Sequence, residues 1–340
     1  MERSAWIVMI LILVALATLS IGCGGGTGVG VSPARIVEYP VPVANSWPDD
    51  LAGDAAGNVW FAMHHADEIG RMTPTGAYTG FPVPTHGSEM DSVVVDNARR
   101  IVWVSEIMGN NIVRLDMDTG VVTEIPVPTP SVFPGDLALA PDGTLWFVES
   151  YDTTASGKRR LGKVDPATNA ITEIAQPWLR NVYDGILVDA GGAVWFAEFT
   201  DNRIGRYSNG TFTEFPMPQP NSYPTNLAID PAGRIWVTAQ GVNTLAAFNP
   251  ASQSWVEHSI PTPFSLASGV AADGAGNVWF TETQANRIGV LPAGSSQIFE
   301  YRIPTAASYP EDIHVIGNRI YFSERYGNQI GWITVSGITP

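Results

Sequence analysis

"NVWFAMHHADEIGRM" (residues 58–72) joins an apolar run around one Trp, a polar loop, and a second short run carrying Ile-Gly-Arg. Its relatives return as "LWFVES" (145–150), "VWFAEFTDNRIGRY" (194–207), "VWFTETQANRIGVL" (278–291) and "IYFSERYGNQIGWI" (320–333). The aromatic landmark stands at Trp60, Trp103, Trp146, Trp195, Trp236, Trp279 and Tyr321, spaced by 43, 43, 49, 41, 43 and 42 residues. Repeats of this period are the signature of propeller blades.

Each copy has the same internal order. A short apolar strand comes first, as in "DLALA" (136–140) and "NLAID" (226–230), followed by a Gly-containing turn and the Trp strand. A polar loop, the Ile-Gly strand and a last strand of the "ITEIAQP" (171–177) type complete the copy. Short apolar runs between Gly, Asp and Asn turns are antiparallel strands. Four of them make one blade, whose two faces are buried only by stacking neighbours around an axis. The last strand falls in the outermost place, because its prolines suit an edge. One copy of it, Val37-Glu38-Tyr39-Pro40, precedes every Trp strand, whereas the copy around Tyr321 has none after it. The N-terminal strand therefore closes the last blade. The expected fold is an all-β, seven-bladed β-propeller over residues 34–340, with four antiparallel strands per blade.

With 45% hydrophobic residues, the 340-residue chain can bury a large core, and length alone allows one domain or two. A formal net charge of −15 argues against a nucleic-acid partner, since such a surface repels phosphate backbones. Ahead of the repeats, Arg3 precedes the apolar run 5–21, which ends at Cys23, the single cysteine of the chain. Residues 1–23 read as an export signal, and 24–33 as a Gly-rich linker. Small residues before a lone Cys resemble a bacterial lipobox, although Ser20 stands where that motif usually has Leu. The expectation is lipidation at Cys23 and an exported, monomeric, membrane-anchored lipoprotein of the cell envelope. An ordinary signal peptide or an uncleaved anchor remains the alternative. With one Cys, no internal disulfide can form.

The pattern "WFxE…NRIG…TE(F/I)P(V/M)P" resembles the virginiamycin B lyase (streptogramin lyase) family of seven-bladed propellers, from about Ala34 to the C-terminus. The resemblance implies an elimination that opens a cyclic depsipeptide without water and with Mg²⁺ bound. The family motif is Glu-Pro-His-Gly leading into the innermost strand, with a second His one blade earlier and a Glu ending "WFxE". Over the seven blades the His position becomes Asp49, Asp91, Gly135, Asp184, Thr225, Ser268 and Glu311. None is His. Blade two keeps most of the motif, with Glu89-Met90-Asp91 in place of Glu-Pro-His and Glu106 closing "WVSE".

First-strand starts and second-to-third-strand loops share the face that carries the channel mouth. Glu106, Glu149, Glu198, Glu282 and Glu324 end second strands there, and Asp49, Asp50, Glu89, Asp91, Asp136, Asp184, Glu311 and Asp312 open first strands. Crowded carboxylates raise one another's pKa unless a cation intervenes, and oxygen ligands favour Mg²⁺ or Ca²⁺. Glu89, Asp91 and Glu106 are the candidate metal ligands; a solvated acidic rim explains the same crowding. The first copy replaces the strand-ending Glu by Met63, followed by His64 and His65, and His86 lies in the next lead-in. These three histidines are the candidate catalytic acid–base groups, with loop histidines of no catalytic role as the alternative. His258 and His314 read as packing residues. Trp47, Phe133, Tyr183, Tyr223 and Tyr309 flank the mouth, and with Asp49 and Asp184 they form the candidate ligand-binding set. Residues 150–160 lengthen the third blade's loop.

Two functions compete on this reading. One is binding of a small-molecule or glycan-like ligand, cationic given the acidic mouth, with the family's histidines absent. The other is metal-dependent lysis of depsipeptides or esters, or gluconolactonase-like hydrolysis, at the same mouth.

Overall fold

The ring side chain of the second-strand Phe explains why the third strand repeats Gly. A Cβ on Gly70, Gly162, Gly205, Gly289 or Gly331 would come within 1.9–2.3 Å of the Phe61, Phe147, Phe196, Phe280 or Phe322 ring. Where the glycine is absent, so is the ring: Val104 pairs with Val113 in blade two, and Val237 with Ala246 in blade five. The repeat conserves a filled volume, as close-packed interiors require.

The structure, a computed structural model, describes residues 35–150, 158–179 and 183–334. Chain contacts divide between Met1–Ser32 and Pro33–Pro340. The expected signal, linker and Cys23 lie outside the described residues, as does 151–157 of the third-blade insertion.

Seven four-stranded antiparallel sheets follow one another along the chain. Blade one comprises Pro48–Gly53, Val59–Met63, Glu68–Met72 and Tyr78–Pro82. Blade seven comprises Pro310–Ile316, Arg319–Glu324 and Gln329–Thr334, and its outer strand is Arg35–Pro40. That strand pairs in register from Arg35 opposite Thr334 to Pro40 opposite Gln329, so the ring closes as the order of the copies requires. Seven apolar clusters fill the seven seams. Each joins one blade's Trp side to the next blade's Phe side, and the seam between blades seven and one unites Tyr321 and Ile330 with Leu51, Phe61 and Met63.

Two features of the first strands shape the channel mouth. The register with the second strand slips in every blade just after the strand begins, between Pro48 and Leu51 in blade one and between Met90 and Val93 in blade two. The residue before the strand is left-handed in six blades: Trp47 (φ 53°), Glu89, Phe133, Tyr223, Leu266 and Tyr309. Bulky side chains avoid that region, so its recurrence marks a backbone held by its surroundings.

Candidate ligand site at the channel mouth

In six blades, hydrogen bonds join the second-to-third-strand turn to the lead-in of the same blade. His64 N–H donates to the Trp47 carbonyl (3.0 Å), His65 N–H to Ser46 (2.9 Å), Ile107 N–H to Glu89 (3.0 Å) and Arg325 N–H to Tyr309 (3.1 Å). The slipped register then brings residues of neighbouring inner strands together. Asp49, His64 and Asp91 each offer a ligand atom within 4.8 Å of the others', and all three are buried. His64 Nδ1 lies 3.3 Å from the Met90 carbonyl oxygen, which can only accept. Nδ1 therefore donates, and in the neutral ring Nε2 carries the lone pair, 3.8 Å from Glu89 Oε2.

Blade seven supplies the other side of this site. Arg325, 6% exposed, places Nη1 3.5 Å from Asp49 Oδ2 and its guanidinium 5.2 Å above the Trp47 ring. Burial opposes its charge, but Asp49, Glu311 and Asp91 outweigh this and hold its pKa above the usual value. Trp47 stacks on His65 at 3.6 Å, Tyr326 meets Trp47 edge-on at 5.3 Å, and Tyr309 lies 4.6 Å from Tyr326. The result is an aromatic wall beside a carboxylate–imidazole cluster. Below it, Asp50 accepts from Ser92 Oγ (2.5 Å) and Val93 N–H (2.9 Å). Burial raises both Asp50 and Asp312, and the neighbouring Asp50 carboxylate raises Asp312 further, well above a normal carboxyl. Both are half-buried on the innermost strands of adjacent blades.

The structure corrects the assignment of the second-strand glutamates. Glu106, Glu149, Glu198, Glu282 and Glu324 are 0% exposed and lie inside their blades, not at the mouth. Asn111 Nδ2 donates to Glu106 Oε2 at 2.9 Å, and Arg160 pairs with Glu149 at 3.3 Å. Among the described residues, Glu106 forms no metal-sized group with Glu89 and Asp91, whereas His64 joins Asp49 and Asp91. Strand alternation accounts for this. Phe196 and Glu198 are two residues apart and share one face, so a glutamate in that place follows the Phe into the blade seam.

The remaining candidates separate. His86 is 86% exposed and holds Asp67 at 2.8 Å, replacing the Asn that anchors the lead-in in blades such as two and four. His65 lies against Trp47, outside the carboxylate group. Phe133 and Tyr223 sit at left-handed lead-in positions, Tyr223 against Phe199 (5.1 Å), and Asp184 is half-buried at the position equivalent to Asp49. His258 packs on Trp236 (5.7 Å), and His314 lies on the innermost strand of blade seven, where burial lowers its pKa. Arg325 and Tyr326 went unnoticed in the sequence, although "SERYGN" (323–328) departs from its relatives in carrying both.

The family model for the virginiamycin B lyase family matches residues 31–155 and 152–339, nearly the whole repeat region. The chain belongs to this family. Virginiamycin B lyase of Nocardia farcinica is 32% identical over 98 residues, covering 29% of this chain and 34% of that protein. The match thus spans about a third of the length of that curated relative. The crystal structure of virginiamycin B lyase from Staphylococcus aureus is 26% identical and superposes with a TM-score of 0.83, covering 89% of this chain and all of that one. A catalytically inactive histidine-to-alanine variant of that enzyme, solved with quinupristin, gives 0.82 at 26% identity and the same coverage. A gluconolactonase from Xanthomonas campestris reaches 0.56 at 13% identity over 89% of this chain and 90% of its own, a likeness of fold alone. Asp49 and Asp91 open the first strands of adjacent blades, and His64 reaches the same point from the blade-one turn.

Two carboxylates and one imidazole within 4.8 Å, with Glu89 beside them, are a donor set that suits a divalent cation. Asp49, Glu89, Asp91 and Glu311 outnumber the one guanidinium that offsets them.

Proposed function

We propose that this propeller binds a ring-bearing ligand at the mouth between blades seven, one and two, together with Mg²⁺ or Ca²⁺. The observation that carries the reading is the buried Asp49–His64–Asp91 group beside the Trp47, Tyr309 and Tyr326 wall. Asp49, Asp91 and Glu89 would hold the ion, which when bound polarises a carbonyl oxygen of the ligand. The rings give apolar area, and Arg325 orients an acceptor.

A second reading is turnover, and His64 favours it. The Nε2 of His64, 3.8 Å from Glu89 Oε2, would take a proton from carbon while an ester C–O bond breaks and its oxygen leaves as carboxylate. That elimination leaves a linear isomer of a cyclic depsipeptide, whereas hydrolysis adds the mass of one water. Export and anchoring through Cys23 belong to the same proposal; equal membrane association of wild type and Cys23→Ser would remove the anchor from it.

One titration tests the site. Added Mg²⁺ or Ca²⁺ is expected to raise the melting temperature, by the equivalent of about 2.7 kcal/mol at 100 times its dissociation constant. Asp49→Asn with Asp91→Asn should abolish the rise. Quinupristin incubated with the metal-loaded protein then separates binding from turnover by mass and chromatography. A wild-type melt indifferent to millimolar metal sinks the cation reading, and His64→Gln with undiminished turnover sinks the base.

A further inference from the structure

At the opposite end of the blades, the first-to-second-strand turns carry a socket for the landmark Trp. In blades one, four, five and six an Asp opens the turn six residues before the Trp. Its Oδ2 accepts the indole Nε1–H: Asp54 from Trp60 (3.0 Å), Asp189 from Trp195 (3.0 Å), Asp230 from Trp236 (2.9 Å) and Asp273 from Trp279 (3.1 Å). The other oxygen takes two backbone N–H groups of the turn, as Asp54 does from Ala56 and Asn58. Blade seven has Tyr321 in place of the Trp, and in blade two Trp103 Nε1 is fully buried with no hydrogen-bond partner among the described residues. Blade three departs in a third way. Ala140 stands at the Asp position, and Asp142, two residues on, takes the Thr144 N–H (2.8 Å) and no indole.

The indole of Trp146 is consequently left with no carboxylate acceptor among the described residues. Trp146 is still 92% buried by its 8% exposure, against 0–2% for Trp60, Trp195, Trp236 and Trp279. It lines a groove of about 350 Å³ between blades three and four, with Ala140, Thr144, Lys163, Gly191 and Gly192. The Lys163 ammonium lies 5.8 Å from the Trp146 ring. Asp142 also lines the groove; Arg99 Nη2 donates to its backbone carbonyl at 3.1 Å, while Arg99 Nη1 pairs with Asp96 at 3.0 Å.

We propose that this groove is a binding site for a small carboxylate, which supplies the acceptor that blades one, four, five and six carry in their own chain. One carboxylate oxygen takes the Trp146 indole N–H, the other faces the Lys163 ammonium, and the body of the molecule lies over Gly191 and Gly192. A charge-assisted hydrogen bond in a partly enclosed site is the interaction that the missing Asp leaves open. The site is independent of the channel mouth.

Indole ¹H–¹⁵N resonances read it directly. With the Trp146 peak assigned from Trp146→Phe, titration with sodium acetate is expected to move that peak saturably, and sodium chloride at equal ionic strength is expected not to. Ala140→Asp restores the socket and should weaken acetate about tenfold or more, the worth of one hydrogen bond to a charged group. It should also move the peak, without ligand, toward those of Trp60 and Trp195. Lys163→Gln should weaken acetate while leaving the unliganded peak in place. A Trp146 peak that ignores acetate at tens of millimolar overturns the proposal. So does one that shifts equally in Ala140→Asp.

Discussion

At the scale of single residues, the glycine of the third strand and the phenylalanine of the second are one unit of volume. Gly289 lies under Phe280, and a Cβ built on it would stand 2.2 Å from the ring. Gly289→Val should cost about 1–3 kcal/mol by overpacking. Adding Phe280→Val recreates the Val104–Val113 pair of blade two and should recover part of the loss in a denaturant melt. Strictly additive costs would show that the two positions do not share space. The Trp landmarks were legible because they recur; the Phe–Gly exchange was not, because it needs the register that sets them face to face. The mouth was half legible. Asp49, Asp91 and His64 stood among the candidates, but their convergence depends on a register slip that no residue type announces. Glu106 was misplaced for want of one parity argument along "IVWVSE" (101–106).

At the scale of the strand, five blades bury a pair of carboxyls between second and fourth strands: Glu106 with Glu124, Glu149 with Glu173, Glu198 with Glu214, Glu282 with Glu300, and Glu324 with Glu38. Burial first, and the fourth-strand charge next or nearby, raises the inner member to about 7 for Glu106, about 8 for Glu149, Glu282 and Glu324, and about 9 for Glu198. The outer member ties one blade to the previous one. Glu124, Glu173 and Glu300 accept from the backbone and hydroxyl of Thr85, Thr129 and Thr262. Blade one lacks both members, with Met63 and Gly80 in their places. Because each folded pKa lies above the ordinary value of 4.5, the native state holds more protons than the unfolded chain between the two. Their contribution is whole below the unfolded value and is lost as pH rises through the folded ones. The melting temperature should therefore fall from about pH 5 to about pH 9. Glu149→Gln with Glu198→Gln, which cannot ionise, should flatten that slope, and a double variant as steep as wild type would refute the pairing.

At the scale of the molecule, closure depends on nine residues at one end of the ring. Removing 34–42 leaves Gln329–Thr334 as an unpaired edge and strips Val41 from the seam between blades seven and one. The shortened protein should unfold over a broadened transition or aggregate, and a sharp, monomeric, unshifted melt would refute this role. The propeller and its closing strand were the best read part of the sequence, since a repeat states its own period seven times. The same strand has a consequence for biosynthesis. Arg35 is among the first described residues to be made and Thr334 the last, yet they are neighbouring rungs of one ladder. Pairing across nearly the whole chain is the slowest kind to form. A polypeptide interrupted before residue 329 has no partner for its first strand and no seventh seam, whatever the state of its other blades. The ring thus distinguishes a finished product from an unfinished one, and leaves on every unfinished one the open edge by which a protease can find it.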